Sequence, residues 1–239
     1  MLSSTDREYI ASLRLRCDSG DVFAMEGFAS FYYEDHPELL DPTTVKLVLE
    51  YYEKAAEAGN QKSTLNLGAL YCDPLLGEPN YTKAVTLFES AISGDDARIA
   101  SIACAKLGDC YRFGKGVKVD YSKAFDYYLE GVLLANHPVC LYKLGDMYHA
   151  GEFVRQDSKK AYFIYCKAKA MSQRFCNDSY AEILVRLAEL MMDGLGTDKD
   201  VAGALKYLKM AQRMPNQSSN PENIPQKIDF LLKKASKAE

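Results

Sequence analysis

Chemistry needs suitable side chains close enough to cooperate, and this sequence offers few candidates. Three histidines, His36, His137 and His149, have the type for proton transfer or metal ligation. None shares a ligand spacing with another histidine or with a cysteine, and His36 and His137 each precede a proline, as turn residues do. Seven cysteines, at 17, 72, 104, 110, 140, 166 and 176, form no CxxC pair and are odd in number. They read as reduced, mostly packed thiols. Gly114-Lys115-Gly116 resembles a piece of a phosphate loop, but it follows a helical pattern and lacks the spacing of that loop. We assign it to a turn. No catalytic, cofactor-binding or metal residue is assigned.

Composition narrows the classes further. The 239 residues are 48% apolar and 26% charged, with 29 Lys+Arg against 33 Asp+Glu and a net charge of -4. Both signs are interspersed, so no basic surface for nucleic acid or anionic lipid is expected. Asp6, Arg7 and Glu8 interrupt the first residues before an apolar run can form, and no stretch is long enough to cross a bilayer. A cytoplasmic protein is the expectation, and the sequons at Asn80, Asn177 and Asn216 then carry no glycan.

The elements that must position any site announce themselves as a repeat. Leu-Gly-x-x-Tyr occurs at Leu67–Tyr71, Leu107–Tyr111 and Leu144–Tyr148, flanked by the degenerate copies Phe28–Tyr32 and Leu187–Met191. These anchors recur every 37 to 43 residues. Thirteen residues after the last anchor position stands alanine four times: Ala84, Ala124, Ala161 and Ala204. Nine after it stand Asn80, Asp120, Asp157 and Asp200, all good N-caps. Three after it are Gly114, Gly151 and Gly194, suited to a tight helix exit.

Each unit therefore reads as helix, glycine turn, capped helix. The second helices carry bulky pairs, Leu87/Phe88, Tyr127/Tyr128, Ile164/Tyr165 and Tyr207/Leu208, with Tyr51/Tyr52 shifted in the first copy. There Asp41-Pro42 predicts an early helix start. Leu and Tyr four apart share one helix face, and the small residue beside them lets the partner helix approach closely. The turns Gly20-Asp21, Gly59-Asn60 and Gly94-Asp95 lead into the next anchor.

These residues resemble the Sel-1-like repeat family, relatives of the tetratricopeptide repeats. The third copy is closest, CAKLGDCYRFGKGVKVDYSKAFDYYLEG from Cys104 to Gly131, and the fourth keeps Leu144, Gly145, Tyr148, Gly151, Val154, Asp157, Lys160 and Ala161. The copies lack the tryptophan of the family pattern, Pro74 replaces a turn glycine, and insertions fall near 97–101 and 172–179. The resemblance implies an all-α fold, a right-handed α-α superhelix of about five antiparallel helix pairs with a concave groove. It covers residues 20 to 212, within a single domain: a capping helix over 1–20 opened by Thr5-x-x-Glu8, repeats over 21–213, then a linker and C-terminal capping helix over 214–239. The cysteines fall at no recurring position, unlike the secreted branch of the family, in which each pair is tied by a disulfide.

The resemblance also implies a scaffold for a protein or peptide, without cofactor. By analogy with tetratricopeptide arrays, positions two before, two after and five after the anchor line the groove: Glu26, Ser30 and Tyr33; Leu65, Ala69 and Cys72; Ala105, Asp109 and Arg112; Tyr142, Asp146 and His149; Val185, Glu189 and Met192. Tyr33 and Tyr142 are the expected aromatic anchors, with Asp109, Arg112 and Asp146 fixing register and Glu26 and Glu189 adding to an acidic excess that suits a partner with basic residues. The rival reading is an enzyme-regulatory subunit or hydrolase with a site at the insertions or the Met214–Pro225 connection. Nothing in the sequence fixes an oligomeric state.

Overall fold

A computed structural model describes residues 3–175, 179–214 and 224–235. Twelve α-helices account for most of them: α1 (Ser4–Asp18), α2 (Val22–Ser30), α3 (Pro42–Glu57), α4 (Gln61–Cys72), α5 (Tyr81–Ile92), α6 (Ala97–Phe113), α7 (Tyr121–Ala135), α8 (Pro138–Ala150), α9 (Ser158–Phe175), α10 (Tyr180–Asp193), α11 (Val201–Gln212) and α12 (Ile224–Ala235). They form two compact units, residues 1–120 with α1–α6 and residues 121–239 with α7–α12. Within each unit every helix packs on its neighbour in sequence, as short turns between amphipathic helices require. The expected first helices are α2, α4, α6, α8 and α10, and the second helices α3, α5, α7, α9 and α11.

The boundaries follow side-chain chemistry at the ends. Asp21, Asn60, Asn80 and Asp200 accept hydrogen bonds from the free amides of the helices they precede, and Asp41 does so from Thr43 and Thr44, with Pro42 in the first helical position. Those bonds, chiefly with Thr44, hold the Asp41 carboxyl below its ordinary pKa. Two boundaries differ from expectation. At the N-terminus the capping box is Ser3 with Asp6, because Ser3 offers its hydroxyl two residues before Thr5. At α6 the turn Gly94-Asp95 runs one residue further to the cap Asp96, which Gln61 fixes by accepting from the Asp96 amide at 2.9 Å and donating to Ala91 O at 2.7 Å. Where Pro74 replaces the turn glycine, Pro74–Leu76 forms a 3-10 turn that ends on Gly77 at φ 94°.

The repeat glycines have steric reasons. A Cβ on Gly68 would lie 2.6 Å from the Phe88 ring, and one on Gly145 would lie 2.5 Å from the Tyr165 ring. The anchor glycine is thus the seat for the large side chain of the following helix, and Tyr52, Phe88, Tyr128, Tyr165 and Leu208 are all essentially buried. Gly116 sits where a Cβ would strike the backbone of Tyr81 at the start of α5, and Gly196 does the same at Ser158 of α9. Gly114-Lys115-Gly116 is therefore a close approach between helix ends. Phe153 stands at the corresponding place in the fourth copy and keeps the left-handed backbone, φ 63°, with its ring 5.6 Å from that of Phe125.

Candidate partner-binding face

The first helices carry the positions expected to line a groove, and the structure shows what lies against them. In unit 1, Glu26 and Ser30 of α2 face Lys62 and Asn66 of α4, five and one residues before that helix's anchor. Lys62 Nζ lies 2.7 Å from Glu26 and 3.7 Å from Glu34. The Ser30 hydroxyl donates to Glu26 at 2.7 Å and lies 3.2 Å from the buried Tyr52 hydroxyl. Asn66 Nδ2 donates to Glu34 and, at 3.2 Å, to Tyr52. Glu34 reaches this cluster from a π-helical turn, Phe31–Asp35, that extends α2. Tyr33 in the same turn stacks edge-on with Tyr52, and its hydroxyl is 3.4 Å from Asp73. Burial alone would lower the Lys62 ammonium's pKa, but Glu26, Glu34 and Asp35 overcome this and hold it above the ordinary lysine value.

In unit 2 the same registers are filled differently. Arg186, one before its anchor on α10, meets Asp146 of α8 bidentately, Nε to Oδ1 at 2.5 Å and Nη2 to Oδ2 at 2.9 Å. The Tyr142 ring lies 4.6 Å from the guanidinium carbon, and the Tyr142 hydroxyl donates to Glu182 at 2.7 Å. Tyr165, the large residue seated on Gly145, donates its hydroxyl to Asp146 at 2.7 Å. Burial first and then Asp146 push that hydroxyl's pKa above the tyrosine norm. The Arg186 side chain is only 5% exposed. Burial alone would lower its pKa, and Asp146 more than offsets this.

The expected site residues therefore divide. Ser30 and Tyr142 are buried, and Asp146 is engaged with Arg186 and Tyr165. Tyr142 does not stand as an exposed anchor, because the next first helix lies over it. Val185 and Met192 are buried with Ile228, Leu231 and Ala235 of α12, while Glu189 pairs with Lys227 and Asp193 with Lys234. The last such face is covered by α12. Leu65 and Ala105 are buried as well. Glu26 and Tyr33 are half-buried around the Lys62 cluster. Asp109 and Arg112 are half-buried on α6, with the Arg112 guanidinium 5.2 Å over the Phe113 ring. His149 is half-buried, with its Nδ1 enclosed and lacking a hydrogen-bond partner.

Glu34, Lys62, Asn66, Glu182 and Arg186 were not singled out from the sequence. One signal was available: Lys106, Lys143 and Arg186 share the position before the anchor, and Glu182 and Arg186 bracket the apolar run Ile183-Leu184-Val185. A charge in such a run needs a partner from another element.

Elsewhere, the repeat lysine twelve residues after the anchor tyrosine stacks on that ring, Lys83 on Tyr71 at 4.9 Å and Lys160 on Tyr148 at 4.0 Å. The first of these pairs walls a cleft of about 450 Å³ over α4, between α3 and α5, with Leu67, Leu87 and Glu53 also lining it. Residues 97–101, one of the proposed insertion sites, form the first turns of α6, and Ser172 lies near the end of α9. Residues 176–178 and most of the Met214–Pro225 connection lie outside the described residues. No group of three or more His, Cys, Asp or Glu among the described residues is placed to hold a metal. No described helix is long and apolar enough to cross a membrane.

The Sel1 repeat family model matches residues 49–60, 62–96, 101–134, 138–172 and 181–214, together more than half of the chain. A Sel1-repeat-containing protein of Escherichia coli (strain K12), YjcO, is 33% identical over 111 residues, 46% of this chain and 47% of the relative. The chain thus matches about half the length of that curated relative. Among solved structures, a Sel1 repeat protein from Oxalobacter formigenes superposes with a TM-score of 0.65 at 20% identity, covering 88% of this chain and 85% of that one. The protective antigen c5321 of uropathogenic Escherichia coli, described as displaying an SLR fold, gives a TM-score of 0.56 at 20% identity over 96% of this chain and 56% of its own. At that identity the likeness is one of fold, the all-α repeat solenoid.

Proposed function

Since the chain belongs to the Sel1 repeat family, whose members generally serve as protein-interaction scaffolds, we propose that it is a non-catalytic adaptor. Its partner is a protein or peptide with basic residues, held on the first-helix face of unit 1. The observation carrying this reading is the cluster around Lys62: Glu26, Glu34 and Asp35 outnumber the one ammonium they surround, and the Glu34 side chain is 39% exposed. A half-exposed carboxylate cluster beside aromatic rings suits recognition of a basic side chain.

The Cys17, Cys72, Cys110 and Cys166 thiols are packed, with burial raising the pKa of each, which supports a reducing compartment such as the cytoplasm. Burial pushes the Cys110 thiol up to about 12, so it is a packing group and not a nucleophile.

Affinity capture from native lysate tests the adaptor reading when the parent chain is compared with a Glu26→Lys/Glu34→Lys double variant. The parent is expected to retain a stoichiometric partner that the variant loses. Equal capture by both, with both folded, would overturn the assignment of this face.

A further inference from the structure

The second helices of the two units differ on their outward side. In unit 1 the cleft over α4 is walled by Glu53 and Glu57 of α3 and by Thr86 and Ser90 of α5, side chains that suit water. In unit 2 the equivalent positions of the repeat carry Leu129 and Leu133 on α7 and Phe163 and Lys167 on α9. The core does not absorb this change: Leu133 is 77% and Phe163 70% exposed, and Leu129 is exposed as well. Behind them Val132, Tyr148 and Ile164 pack against one buried cluster, so the outer edges of α7 and α9 flank the same strip of α8. Three large apolar side chains gathered on one face, where the other unit places polar ones, differ from the single apolar residues scattered over any protein surface.

Charge is laid out across this face in one direction. The α7 edge carries Asp126 and Glu130, both exposed. The α9 edge carries Lys159 and Lys167, also exposed, and no residue of α9 is acidic. A face with acid along one edge, base along the other and apolar side chains between them is complementary to itself. A two-fold axis running along the helices brings the α7 edge of each copy onto the α9 edge of the other. Leu133 and Phe163 then meet their counterparts at the centre, with the charged edges as a rim. We propose that the α7–α9 face of unit 2 is a self-association surface, on which a second copy of this chain docks as a two-fold dimer. This goes beyond the adaptor reading and does not depend on it, since that reading concerns the first-helix face of unit 1.

The test is sedimentation velocity of the full chain, from low micromolar to several hundred micromolar and at low and high salt. The expected result is a reversible monomer–dimer equilibrium that stops at the dimer, because a two-fold contact uses up the face, and that weakens as salt screens the edges. Leu133→Ser/Phe163→Ser should raise the dissociation constant at least about tenfold with the circular dichroism of the parent, since both side chains face water in the single chain. The decisive arm is a pair of edge reversals. Asp126→Lys/Glu130→Lys and Lys159→Glu/Lys167→Glu should each be monomeric alone, because like charges then meet across the axis, and should form a dimer when mixed. A parent that stays monomeric throughout, a series of oligomers that does not stop at two, a dimer indifferent to Leu133→Ser/Phe163→Ser, or folded edge variants that fail to pair on mixing would each overturn the surface. Loss of the captured partner in the Glu26→Lys/Glu34→Lys variant bears on the adaptor face alone and leaves this equilibrium unchanged.

Discussion

The α2–α4 and α8–α10 contacts use the same registers of the same repeat, yet one leaves its cation 44% exposed and the other buries its cation to 5%. The exposed cluster has more acid than base, and its lysine meets one oxygen each of Glu26 and Glu34. The buried one has a bidentate arginine, a ring over it and a tyrosine hydroxyl behind it. Repeat position therefore sets where a polar side chain points, while its chemistry and its neighbour's decide whether the face is a joint or a surface. Charges taken out of water must be matched almost fully, and only unit 2 carries side chains that do so.

The comparison can be broken most forcefully at Arg186. Arg186→Met leaves Asp146 and Glu182 without their guanidinium, and we expect a loss of about 3–5 kcal/mol, seen as a marked fall in the thermal midpoint. A fall no larger than that of a surface substitution would erase the distinction between the units. Gly145→Ala should cost about 1–3 kcal/mol, because the new Cβ meets the Tyr165 ring, and Gly68→Ala should cost a similar amount against Phe88. That pair is a control: the helix seat is common to both units, so unequal losses would show that the polar networks also set the packing. Lys62→Met is expected to change stability by less than about 1 kcal/mol, since its half-exposed ammonium is still screened by solvent.

A spectroscopic effect should be shared by both networks. Burial holds the Tyr52 and Tyr165 hydroxyls above the ordinary tyrosine pKa of 10.0. A hydroxyl whose pKa is raised on folding contributes stability that is present in full below the unfolded value and is lost as pH rises through the folded one. An absorbance titration of tyrosinate should therefore leave both hydroxyls protonated above pH 10, until the chain loses stability and unfolds. Full ionisation of all tyrosines in the folded chain near pH 10 would contradict the burial of both.

Much of this was legible in the sequence. The anchor glycines, the caps at Asn80 and Asp200, the early start at Asp41-Pro42 and the large side chains seated on glycine all follow from spacing of a few residues, which helix geometry converts directly into position. The faces were legible too, but not what covers them. Asp146 and Arg186 are 40 residues apart, and periodicity cannot say which of two half-polar helix faces meets another helix. The groove ladder was therefore drawn through Ser30 and Tyr142, which the neighbouring helices bury, and missed Glu34, which an extra turn of π-helix brings round to the cluster.

The most direct test is a pair of double-mutant cycles, one on Asp146–Arg186 and one on Glu26–Lys62, read as coupling energies from thermal or denaturant unfolding. The account predicts a coupling of about 2–3 kcal/mol for the buried pair and no more than about 0.5 kcal/mol for the exposed one. Equal couplings, or a larger one at Glu26–Lys62, would contradict the claim that unit 2 has closed the face that unit 1 leaves available.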